Sequence, residues 1–291
     1  MPSIRPAAVA GSFYPAAPVA LAAQVQACLD AVPPAEAGSA EALAQPKLLV
    51  VPHAGYVYSG PVAGSAYARL RPWAARIRRV VLLGPVHRVP VRGLAVPTVD
   101  AFDTPLGRVP VDQAALAQLA DLPQVVRSDR VHAQEHALEV QLPFLQAVLA
   151  PGWTLLPLAV GDATPDEVCA VIERLWGDDE TLIVISSDLS HYLPYAEAQA
   201  RDTETLRRLA AGATDLDPQD ACGARALNGA ALAAQRHGLR AERLDLRNSG
   251  DTAGDRRRSR RARRSTSPPS RALRRSMHRG LGSAWWCRRW R

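Results

Sequence analysis

Four short runs that are apolar on both alternating faces constrain this chain more than anything else in it. They are Lys47 to Val51 (KLLVV), Arg79 to Leu83 (RVVLL), Trp153 to Val160 (WTLLPLAV) and Thr181 to Ile185 (TLIVI). A strand with one wet face alternates apolar and polar residues; a run without that alternation needs cover on both sides, the condition of strands in a parallel sheet. Between the runs stand stretches with helical spacing, at Pro61 to Leu70, Val111 to Leu119, His136 to Leu149, Pro165 to Leu175, Pro194 to Leu209 and Cys222 to His237. Alternating strand and helix predicts an α/β fold with a central, largely parallel sheet and helices on both faces. The connection from Leu94 to Arg108, broken by proline and glycine, reads as strand and loop at the sheet's periphery. Nothing before residue 255 resembles a linker and no internal repeat is visible, so residues 1–255 read as a single domain.

The charge is unevenly placed. The chain of 291 residues carries a formal net charge of +7, but residues 256–291 hold 14 arginines and no acid, which leaves 21 basic against 28 acidic side chains before them. The globular part is therefore acidic. The tail, RRRSRRARRSTSPPSRALRRSMHRGLGSAWWCRRWR, has no period and few apolar residues, so it reads as disordered. Two origins fit its abrupt start after Asp255: a shifted reading frame in G+C-rich coding DNA, or a basic arm that touches nucleic acid or an anionic membrane surface through salt-sensitive contacts. Nucleic acid is a partner only under the second.

Other classes drop out. No run reaches the roughly 18 to 20 apolar residues of a membrane-spanning helix, and the start lacks a basic segment followed by an unbroken apolar stretch. No membrane partner is expected, and the cytoplasm is the expected location. Cys28, Cys169, Cys222 and Cys287 are too dispersed for a disulfide framework or a zinc knuckle. There is neither a GxxxxGK[ST] phosphate loop nor a GxSxG nucleophile turn.

Three of the apolar strands release a histidine at the carboxyl end: Pro52-His53-Ala54-Gly55, Gly84-Pro85-Val86-His87 and Ser186-Ser187-Asp188-Leu189-Ser190-His191. That edge of an α/β sheet is where ligands bind. Neutral imidazoles are the commonest protein ligands for transition metals, and Asp188 stands within reach to complete or orient such a set. Glu135 and His136 precede a helix and are placed for proton transfer, while Glu139 suits the helix dipole. Cys222 heads a helix, where a thiol is a better ligand or nucleophile; as a residue alone it reads equally as a small buried apolar group. Cys28 and Cys169 read as core filler, and His132 and His237 as surface residues.

In order and spacing, AVAGSFYP (8–15), PHAGYVYSG (52–60), LGPVHRVP (83–90), DTPLG (103–107), EHALEVQLPFL (135–145), SSDLSHY (186–192), CGARALNGA (222–230) and NSGDTAGD (248–255) resemble the Memo family, whose bacterial and archaeal members are called AmmeMemoRadiSam system protein B. The resemblance implies a fold similar to class III extradiol dioxygenases. It implies a copper or iron site made by His53, His87 and Cys222, lined by Asp188 and His191, with redox activity. Because a His, His, Cys set departs from two histidines and a carboxylate, ring cleavage is not carried over. The resemblance also implies an AMMECR-type protein and a radical S-adenosylmethionine enzyme as partners. Its alternative is a non-catalytic module that takes a small-molecule or peptide ligand in the same pocket.

Overall fold

The computed structural model describes residues 2–33 and 45–252, together with the backbone of residues 282–289. The four apolar runs become adjacent strands: β2 (Leu48–Val51), β3 (Arg79–Pro85), β8 (Thr154–Val160) and β9 (Thr181–Ser186). They lie in the order β2, β9, β3, β8, all parallel, with Val50 opposite Ile185 and Leu82 opposite both Val184 and Pro157. Every residue of β2 and β9, and all but the first of β3 and β8, is buried, which requires cover on both faces. The larger sheet is completed by β4 (Leu94–Val96) and β7 (Val125–Arg127) beyond β8, and by β10 (Leu239–Arg247) and β11 (Gly282–Arg289) beyond β2. A second sheet joins β1 (Ile4–Arg5), β5 (Ala101–Thr104) and β6 (Gly107–Pro110). The expected α/β architecture is therefore present, with the peripheral stretch 94–108 divided between the two sheets.

Around the sheets lie α1 (Pro18–Asp30), α2 (Tyr56–Tyr67), α3 (Leu142–Val148), α4 (Pro165–Arg174), α5 (Tyr195–Ala210) and α6 (Ala224–Arg236). Helix α4 shows why these segments form where they do. Thr164 accepts the Glu167 N–H while the Glu167 carboxylate accepts that of Thr164, a reciprocal cap ahead of Pro165. Val168, Cys169, Val171 and Ile172 then bury one face at helical spacing. The stretch expected as helix from His136 to Leu149 is α-helical only over Leu142–Val148, after a 3-10 turn at Glu139–Gln141. Pro143, which has no N–H to give, sits in the first turn of the α-helix and marks where it begins. No helix among the described residues is long and apolar enough to cross a membrane.

Two expectations are corrected here. The stretch 256–291, read as disordered, contains a strand: β11 runs antiparallel between β10 and β2, with Trp285 opposite Val50 and Cys287 opposite both Leu48 and Ala241. Residues 256–281 and 290–291 lie outside the described residues. A sheet edge offers rows of backbone N–H and C=O groups that pair with any extended segment, so apolar periodicity was a poor guide. Secondly, His132, expected at the surface, is buried: its Nε2 is 2.9 Å from the Ala95 carbonyl, and its own carbonyl accepts Arg5 Nε at 2.8 Å. His237 does lie partly exposed, stacked on Trp176 with ring centroids 3.7 Å apart.

β11 supplies all of the backbone pairing found for β10 and covers the outer edge of β2. Removing residues 282–291 is expected to lower Tm by at least several degrees and promote aggregation; light scattering and a thermal melt check this, and an unchanged Tm would refute the pairing. Burial, aided by the charge of Arg5, holds the His132 pKa down at about 4, below its usual 6.5. The unfolded chain therefore binds the extra proton more readily, and stability present above pH 6.5 is lost as pH falls toward 4. The loss attributable to this group is about 3 kcal/mol. His132→Gln should flatten that acid limb relative to wild type in urea melts from pH 4 to 7; parallel limbs would count against it.

Candidate metal centre

The parallel register brings the strand exits together. β2 passes into Pro52-His53, and the His53 backbone N–H donates to Asp188 Oδ1 (2.7 Å), in the loop leaving β9. β3 passes into Val86-His87. The third imidazole is His136, which precedes the 3-10 turn: one ring nitrogen from each of His53, His87 and His136 lies within 4.8 Å of the others. His53 and His136 are buried, and His87 opens to solvent. Gly84 helps admit this segment, because a Cβ there would lie 2.9 Å from Leu138 Cδ2 and 3.3 Å from Ala137 Cβ.

A hydrogen-bond network decides the tautomer of His53. Ser186 Oγ donates its one proton to the Ala137 carbonyl (2.6 Å) and accepts from Gln141 Nε2 (2.8 Å). The Gln141 amide is itself oriented by Tyr67 Oη donating to its oxygen (2.9 Å) and by its own donation to the Pro52 carbonyl (2.9 Å). His53 Nδ1, 2.9 Å from Ser186 Oγ, must therefore be a donor, and its Nε2 carries the lone pair. Burial, reinforced by the charge of His87, keeps the His53 pKa well below the usual value, so the ring is neutral, the state that binds a metal.

Against Nε2 of His53 lies Cys222 Sγ, at 3.2 Å. The sulfur also accepts the Asp188 N–H (3.3 Å), and the Cys222 N–H donates to the Asp188 carbonyl (3.2 Å). Gly223 permits this docking: a Cβ would lie 2.7 Å from Ser187 Cβ. Burial first, and then the Asp188 carboxylate, push the thiol's pKa up, which opposes the lowering expected from a helix N-terminus. Cys222 thus touches His53 but is not part of the group with mutual 4.8 Å spacing, where His136, expected as a proton-transfer residue, stands instead. Asp188 is buried and its pKa raised by desolvation; His191, half-buried, has its Nε2 3.9 Å from Asp188 Oδ2. Burial alone would raise the Glu135 carboxyl, but the hydrogen bond and charge of His87 bring it down to about 2.

Against known proteins, the chain matches the family model described as "Memo-like protein" over residues 5–259. The chain belongs to the Memo family. A "MEMO1 family protein" of Sulfolobus acidocaldarius is 33% identical over 276 residues, covering 87% of this chain and 95% of that one. Another from Aquifex aeolicus is 37% identical over 204 residues, covering 68% and 72%. A third, from Thermotoga neapolitana, is 38% identical over 201 residues, covering 65% and 71%.

In this Memo-family chain the amino-terminal segment is strapped over the site by Glu139. That residue was expected to stabilise a helix dipole; it is instead fully buried and ion-paired with Arg5 Nη1 (2.5 Å). It also accepts the N–H groups of Ala8 (2.8 Å) and Val9 (3.0 Å) and the Tyr14 hydroxyl (2.5 Å). Burial, then the Glu139 charge, push the Tyr14 pKa up and keep it a donor. The strap lays Phe13 on His136, ring centroids 4.6 Å apart. Sequence reasoning missed Ser186, Gln141, Arg5 and Phe13 as contributors. For Ser186, Gln141 and Phe13 the only signal was their place inside the family strings, and Arg5, outside those strings, had none; all four roles depend on partners more than 40 residues away. Removing one member of a buried ion pair strands the other, at roughly 3–5 kcal/mol. Arg5→Ala is expected to lower the unfolding free energy by that amount, read in urea melts as a lower midpoint at constant m; a loss below about 1 kcal/mol would mean that Glu139 finds another partner.

Proposed function

We propose that this protein binds a redox-active transition metal, iron or copper, through His53, His87 and His136, with the Cys222 sulfur as a further donor on the His53 side. The observation that carries the reading is the convergence of three imidazoles on a rigid sheet edge, one of them held neutral with its lone pair turned away from Ser186. The three imidazole nitrogens, within 4.8 Å of one another, can close on one ion, and the Cys222 sulfur, 3.2 Å from His53 but outside that group, joins them only by turning toward the ion. Imidazole and thiolate together suit copper and iron better than magnesium or calcium. An ion held there would supply one-electron redox chemistry.

The chain's own residues divide the remaining work. His87 is the ligand on the open side, where a small molecule reaches the site. Phe13 and the strap exclude water from His136. Asp188 and His191 form the acid/base pair: the half-buried imidazole exchanges protons with solvent, and the buried carboxyl, which accepts the His53 backbone N–H, holds one at the site. We place the protein in the AmmeMemoRadiSam setting beside an AMMECR-type protein and a radical S-adenosylmethionine enzyme. Family membership supports this, and so does the dispersal of the four cysteines, which leaves radical chemistry to a partner.

Metal analysis of anaerobically purified protein tests the reading. About one iron or copper per chain is expected, falling at least tenfold in His53→Ala and His136→Ala and less in Cys222→Ser, with reductant-dependent oxygen uptake that follows the metal. No bound metal after reconstitution, and no oxygen uptake, would refute it and favour the ligand-binding module.

A further inference from the structure

Two of the three imidazoles share one partner, and this inference rests on the metal reading above while being testable without metal. Glu135 Oε1 lies 2.8 Å from His87 Nδ1 and 3.3 Å from His136 Nδ1, and accepts the Ala137 N–H at 3.0 Å. Its Oε2 accepts the His87 backbone N–H at 2.5 Å. An ionised carboxylate only accepts, and it has about four lone-pair sites. Four nitrogens converge on this one, three on Oε1 and one on Oε2, and both ring nitrogens among them are Nδ1 atoms.

We propose that Glu135 is a positioning residue that sets the tautomers of His87 and His136 together, placing hydrogen on both Nδ1 atoms and turning both Nε2 lone pairs toward one ion. The residues come from different parts of the fold, one from the exit of β3 and one from the segment before α3, so a single anion links two ligands that the backbone does not. Ser186 does the corresponding work for His53 with a neutral hydroxyl. The site therefore has two independent orienting groups, and losing Glu135 disables two ligands while sparing the third. An anion behind an imidazole also makes the ring a stronger donor.

Long-range proton–nitrogen NMR on metal-stripped, full-length protein reads the tautomers directly, and zinc titration of the same samples reads affinity. In wild type, His53, His87 and His136 should all show protonated Nδ1 and bare Nε2. In Glu135→Gln an amide nitrogen faces N–H donors, so one or both of His87 and His136 should shift toward the Nε2–H form. His53 keeps its signals and serves as the control for folding. Zinc affinity should fall about 10- to 100-fold. Glu135→Asp, which keeps the charge, should recover part of the affinity and provides the test if the glutamine variant does not fold. An Nε2–H tautomer at His87 or His136 in wild type, or a Gln variant with unchanged tautomers and zinc affinity within threefold, overturns the proposal. Tautomers as stated in a wild type that takes up no zinc would refute the metal reading and leave the role of Glu135 standing.

Discussion

Everything at the site depends on three parallel strands ending side by side. Backbone hydrogen bonds hold neighbouring strands about 4.8 Å apart, and the register pairs Val51 with Ser186 and Leu83 with Ile185, so the chain leaves β2, β9 and β3 at nearly the same height. Each loop then needs only a few residues to deliver His53, Asp188 or His87 to a shared space. Because the strands are buried on both faces, their ends are fixed by packing, and the imidazoles inherit that rigidity.

Electrostatics explains which groups ring the centre. Burial disfavours charge, so the most enclosed imidazole, His53, is neutral, and the thiol beside it is held protonated. Glu135 keeps its charge only because hydrogen-bond donors surround it. A neutral imidazole at His53, with an anion behind its neighbours, suits a cation, whereas a protonated ring there would repel it.

The amino-terminal strap is a second structural device. Glu139 draws together a guanidinium, two backbone amides and a phenol from residues 5–14, tying the first segment of the chain to the middle. The consequence reaches the site through Phe13, whose ring lies on His136. A residue outside the group of three imidazoles thus helps to fix the surroundings of one of them.

By itself, the sequence determined the α/β class, the four central strands, the placing of His53 and His87 at strand exits, and the family, because unbroken apolar runs and local turns are properties of neighbouring residues. Only the tertiary structure decided that His136, rather than His191, completes the set of three imidazoles, that Glu139 is a buried anchor, that His132 is interior, and that residues 282–289 fill the sheet between β10 and β2. Those outcomes turn on partners far apart in the chain. The environment of a titratable group is set by what packs against it, and no local pattern records that.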